Sequence, residues 1–211
     1  MTSLCEVSVP LLLTLVATAV RAEPDARMAT RAQIDGACDR ASAFAESKPD
    51  AGIAFWDVTA GLIPPQGQGL WWRIDDVNRW AVVDPLGTHG PNVQMTVWKT
   101  PGQVLLVSAF LSSDSGDWAY FITYCYRPEG TLARTVSTFN SFVAANPPDG
   151  IRRERVRYFD SKGNSKVGRS EVFNLRSEER LGIPVPGNDE PLYLSVETLP
   201  FRPLLRVLPA P

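Results

Sequence analysis

The sequence predicts an α+β domain in which an N-terminal helix packs on a twisted antiparallel β-sheet built of consecutive hairpins. Three observations predict it. One segment near the N-terminus repeats apolar residues at helical spacing. From Phe55 onward, short runs rich in β-branched and aromatic residues alternate with clusters of Gly, Pro, Asn and Asp. The links between these runs are too short for crossover helices, which leaves antiparallel hairpins.

Residues 1–22 read as a signal peptide. Val9 to Val20 form a short apolar stretch, and Val20-Arg21-Ala22 places small residues ahead of Glu23. The stretch is too short to read as a membrane span. Its leading segment, Met1 to Ser8, departs from the usual pattern by carrying Glu6 and no Lys or Arg. The expectation is cleavage near Ala22 and a periplasmic or extracellular mature chain with no transmembrane helix. Residues 23–199 then make a single α+β domain, followed by a Pro-rich C-terminal tail, 200–211, that is extended or partly docked.

The full chain has 21 basic and 23 acidic residues. Loss of Arg21 and Glu6 with the signal leaves its net charge at −2. Such a chain has no global field to gather nucleic acid or an anionic membrane, so nucleic acid is not an expected partner.

The helix is predicted over residues 30–47. Thr30 and Gln33 have the spacing of a capping box, and Ile34, Ala37, Cys38, Ala41 and Phe44 form one apolar stripe. Gly36 weakens the helix locally, and Pro49-Asp50-Ala51-Gly52 ends it. Strands are predicted over residues 70–74, 79–83, 93–99, 104–111, 118–127, 131–142, 152–159, 166–175 and 192–199. Arg127-Pro128-Glu129-Gly130 and Asp160-Ser161-Lys162-Gly163-Asn164 are hairpin turns, with residues 144–150 linking the two hairpins.

Cys38 and Cys125 remain after signal cleavage, and two cysteines in an exported chain are expected to pair. The long loop they close gives a chain-entropy estimate of about 4–5 kcal/mol. The competing reading is two buried thiols. A bond would pin the helix across the sheet, because Cys38 lies on the apolar stripe.

His89 is the only histidine. One histidine and two paired cysteines do not make a zinc site, and neither a metal nor a cofactor is expected. A Ser-His-acid hydrolase needs one histidine, so His89 with Asp84, and a serine such as Ser113 or Ser115, is an alternative catalytic set. No Gly-x-Ser-x-Gly elbow accompanies it. Ser112 to Asp117 contains Asp114 and Asp117 among serines, which suits an ordinary turn better than a calcium loop. The acid pairs Asp75-Asp76, Glu178-Glu179 and Asp189-Glu190 read as solvated turn residues.

Two sets of residues are candidates for ligand binding. Arg153, Arg155 and Arg157 alternate along one strand and share a face, so they make either an anion-binding stripe or a solvent face of Arg–Glu pairs with Arg169 and Glu171. Trp71 and Trp72 are adjacent on a strand and point to opposite faces, so both are buried only if both faces are covered. Export, stapling and aromatic strands without a catalytic motif predict a non-catalytic binding or accessory domain for a small ligand or an envelope protein. The alternatives are the His89 hydrolase and a structural envelope protein whose edge strands pair with another chain.

Overall fold

Thr30 starts the first helix as its side chain requires. Its hydroxyl accepts from the Gln33 amide N–H while the Gln33 side chain accepts from the Thr30 N–H, closing the capping box. Helix α1 spans Arg31–Ser47 and ends where Pro49–Ala51 makes a single 3₁₀ turn. The structure, a computed structural model, describes residues 30–57, 71–74, 93–113, 115–143, 149–183 and 190–205. The signal segment, the strand expected at 79–83, His89, Asp84, Asp114 and the tail after Leu205 lie outside the described residues.

Nine strands form one antiparallel sheet: β1 (Ile53–Asp57), β2 (Trp71–Ile74), β3 (Val93–Thr100), β4 (Gln103–Ser112), β5 (Trp118–Tyr126), β6 (Leu132–Ser141), β7 (Ile151–Phe159), β8 (Ser165–Asn174) and β9 (Arg180–Leu181). Their order is β2-β1-β3-β4-β5-β6-β7-β8-β9, so each strand from β3 onward lies beside the next. Sheet dominates, with α1 as the one long helix among the described residues. The tight turns bear out the hairpin reading. Gly130 and Gly163 close them at φ +85°, a conformation that costs residues with a Cβ.

Alternation along the strands sends side chains to two faces with different covers. On one face, Leu106, Cys125 and Ala133 meet Ile34, Cys38, Ala41 and Ala45 of α1. On the other, Phe55, Met95, Val97, Val107, Ile122, Tyr124 and Leu132 form the main core with Leu199, Phe201 and Leu205. The second cover is a C-terminal strap, residues 190–205. It ends in a 3₁₀ turn, Val196–Thr198, and a short helix, α2 (Arg202–Leu205).

The strap corrects the expected strand at 192–199. Among the described residues its one ladder contact is a bridge between Thr131 and Ser195. Beyond the backbone bonds of that bridge, from Leu132 N–H to the Leu194 carbonyl and from Val196 N–H to that of Gly130, side chains hold the strap: the Tyr124 hydroxyl donates to the Pro191 carbonyl at 2.7 Å and the Tyr126 hydroxyl to that of Tyr193 at 3.1 Å. Burial pushes both phenols well up from their ordinary range, which keeps them protonated donors. The tail is docked as far as Leu205, with Phe201 fully buried. Strands β1 and β9 are additions to the expected set.

Cys38 and Cys125 are bonded, with Cα atoms 5.7 Å apart. Both are buried, so the bond fixes α1 against β5. Polar contacts anchor the N-terminal half of the helix as well. Asp35 accepts from Arg134 and from the Tyr158 hydroxyl, each at 2.8 Å, and Asp39 accepts from Arg134 at 2.9 Å. No helix among the described residues is long and apolar enough to cross a membrane.

Candidate functional site

The apolar stripe of α1 is not fully covered by the sheet beneath it. Ile34, Cys38, Ala41 and Ala45 are buried, whereas Ala37 stays exposed and Phe44 half-buried. These two residues continue the stripe yet receive no full cover. Together with Leu105, Ala133 and the Cys38–Cys125 bond, they line a groove of about 460 Å³ between the helix and the strands. That volume falls within the range of sites for small organic ligands.

Four elements build the groove, with Ala133 coming from β6. Helix α1 gives one wall, β4 gives Gln103 and Leu105, and the end of β5 with its turn gives Tyr126, Arg127 and Pro128. The disulfide sets the spacing between helix and floor, because it joins α1 to β5 covalently inside the groove. Among the described residues of the lining, Arg40 and Arg127 are the charged ones and none is a carboxylate. Arg127 is committed to structure: its guanidinium donates to the Leu132 carbonyl at 2.6 Å, to the Thr131 hydroxyl and to the Phe159 carbonyl. Arg40 is exposed at the rim and makes no ion pair among the described residues.

The arginine stripe lies elsewhere. Register puts Thr135, Ser137 and Phe139 beside Arg157, Arg155 and Arg153, on the face that the strap covers. Arg153 is 1% exposed, with its guanidinium over the rings of Phe139 and Tyr120 at 5.1 and 5.4 Å. Arg155 and Arg157 are half-buried. Arg157 meets the Glu190 carboxylate at 3.3 Å, and that carboxylate also accepts from the Thr135 and Ser137 hydroxyls. Glu190 is therefore a buried strap anchor, which corrects its reading as a solvated turn residue.

The pairs expected between this stripe and β8 change as well. Arg169 lies opposite Val156 and Glu171 opposite Glu154, on the other face of the sheet. There Arg169 and Arg152 reach Glu154, while Arg169 and Arg180 reach Glu171. The irregularity that skips Gly168 shifts the register of β8 at this point.

Trp71 is half-buried and packs at 5.3 Å against Phe201, within the main core. Trp72 pairs with Trp56 in the β1–β2 ladder, and its side chain lies outside the described residues, as do His89 and Asp84. Ser113 and Ser115 sit in a turn, where Ser113 caps the Trp118 N–H and Ser115 donates to Asp117 at 2.6 Å. Glu178 extends from its turn to pair with Arg152 at 3.0 Å. Among the described residues no three His, Cys, Asp or Glu side chains converge in a way that would hold a metal ion.

Fold and groove together define an antiparallel sheet domain with a disulfide-pinned helix on one face and a strap on the other. No family model, curated protein or solved structure matches the chain.

Proposed function

We propose that the protein is an exported, non-catalytic binding domain that holds a small apolar ligand in the groove beneath α1. One observation carries this reading: a mostly apolar groove of about 460 Å³ stays open between the stripe of α1 and the strands. A helix free to settle would close such a space, because uncovered apolar surface and a missing packing partner both cost stability. The Cys38–Cys125 bond and the Asp35–Arg134 contact restrain that settling. The bond also fits an oxidising compartment, and with it the signal peptide expected over residues 1–22.

The test is a thermal-shift screen of the oxidised chain against apolar and amphipathic small molecules. A ligand that binds the native state alone raises the unfolding midpoint. Ala37→Phe fills the groove from its exposed side and should abolish any such shift. A shift that survives the substitution assigns the ligand to another site and defeats this reading. For export, N-terminal sequencing of the native protein should begin at or near Glu23, and a retained Met1 would reject it.

A further inference from the structure

We infer that the groove selects a single-chain anionic amphiphile, a free fatty carboxylate, with its chain along the disulfide floor and its head at Arg40. This rests on the ligand-binding reading of the same groove and adds the chemical class of the ligand.

Shape and apolar lining argue for the chain. Ala37, Phe44, Leu105 and the Cys38–Cys125 bond make the lining mostly apolar, and Gln33 and Gln103 are its amide side chains among the described residues. A polar ligand body would lose most of its water contacts there and find few partners in return. The volume of about 460 Å³ accommodates one acyl chain, and a two-tailed phospholipid is too bulky for it.

Charge argues for the head. Among the described residues the lining includes two arginines and no carboxylate, so the mouth of the groove favours an anion. Arg127 is spoken for by its three oxygen acceptors. The nearby acids of α1 do not neutralise Arg40, since Asp35 and Asp39 both turn to Arg134. Arg40 therefore stands at the rim with its guanidinium available, next to an apolar surface that excludes water from one side. A carboxylate there gains a charge-assisted hydrogen bond, bidentate at best, while its chain leaves solvent.

Calorimetric titration of the oxidised full chain with dodecanoate and with dodecan-1-ol separates the two levels of the argument. Dodecanoate should bind one to one, and the alcohol about tenfold more weakly. Arg40→Gln should bring dodecanoate down to the affinity of the alcohol and leave the alcohol unchanged. Equal affinities in the parent, with no effect of Arg40→Gln, overturn the anionic class and leave the apolar groove standing. Failure of both compounds to bind, or binding unaffected by Ala37→Phe, overturns the groove reading and this inference with it. Gln103→Trp closes the groove from the opposite wall and keeps the test open if Ala37→Phe disturbs the helix. A dimer in sedimentation that Ala37→Phe dissociates would identify a second copy as the occupant and reject the inference.

Discussion

Glu190 and Arg157 meet at 3.3 Å beneath the strap, with the Glu190 side chain fully shielded from solvent. The carboxylate also takes hydrogen bonds from Thr135 and Ser137, so its burial is compensated from three sides. Removing one member of such a pair leaves the other charge buried without its partner, which costs about 3–5 kcal/mol. Glu190→Ala should lower the urea midpoint accordingly. Adding Arg157→Met should recover a substantial part of that loss, and a double-mutant cycle with no coupling would show that the contact contributes nothing.

The disulfide acts on the unfolded chain as much as on the folded one. Cys38 and Cys125 are 87 residues apart, so the bond removes a large amount of loop entropy from the denatured ensemble. Replacing both with alanine should cost about 2–4 kcal/mol in equilibrium unfolding. The same change should loosen α1, giving faster amide exchange across residues 34–45 than across β5 and β6. Equal exchange rates in the helix with and without the bond would mean that the Asp35 and Asp39 contacts hold it unaided.

Asp35 gives the helix anchor a pH dependence. Desolvation pushes its pKa up, but hydrogen bonds from Arg134 and Tyr158, with the charges of Arg134 and Arg31, outweigh this and hold it below the ordinary value of 3.8. A carboxyl with a depressed folded-state pKa contributes stability that is complete above the unfolded value. That contribution is lost as pH falls through the folded value. The parent should therefore be more stable than Asp35→Asn at pH 6, and the two unfolding curves should converge as the pH drops well below 3.8. A constant gap between them down to pH 2 would assign the effect to something other than ionisation.

Local chemistry makes most of the sheet legible in the sequence. Thr30 and Gln33 marked the helix start because capping is settled within one turn, and Gly130 and Gly163 marked hairpins because their turns require positive φ. Long-range choices were hidden. The alternation of Arg153, Arg155 and Arg157 shows that they share a face, yet the face itself depends on register with β6. Glu190 looked like a turn acid because Arg157 is far away in sequence. Residues 192–199 have strand-like composition, but tyrosine hydroxyls rather than a neighbouring strand donate to the Pro191 and Tyr193 carbonyls. For the groove, the signal was present in the stripe of α1. What the sequence does not reveal is that the strands leave Ala37 exposed and Phe44 half-buried.

Phe201 turns the Pro-rich C-terminal segment from an appendage into part of the core. Its ring stacks on Phe55 with centroids 4.3 Å apart and planes within 8°, and Trp71 packs on it at 5.3 Å. Phe55 belongs to β1 and Trp71 to β2, so this one side chain closes the end of the sheet farthest from β9. Truncating a fully buried phenylalanine removes its transfer free energy and leaves a cavity, together about 3–5 kcal/mol. Phe201→Ala should show a loss of that size in urea unfolding. Arg202→Ala is the matched control, because its pair with the exposed Glu197 contributes under about 1 kcal/mol. If Phe201→Ala costs no more than this control, the strap is a surface segment and β1 and β2 are held by their ladder alone.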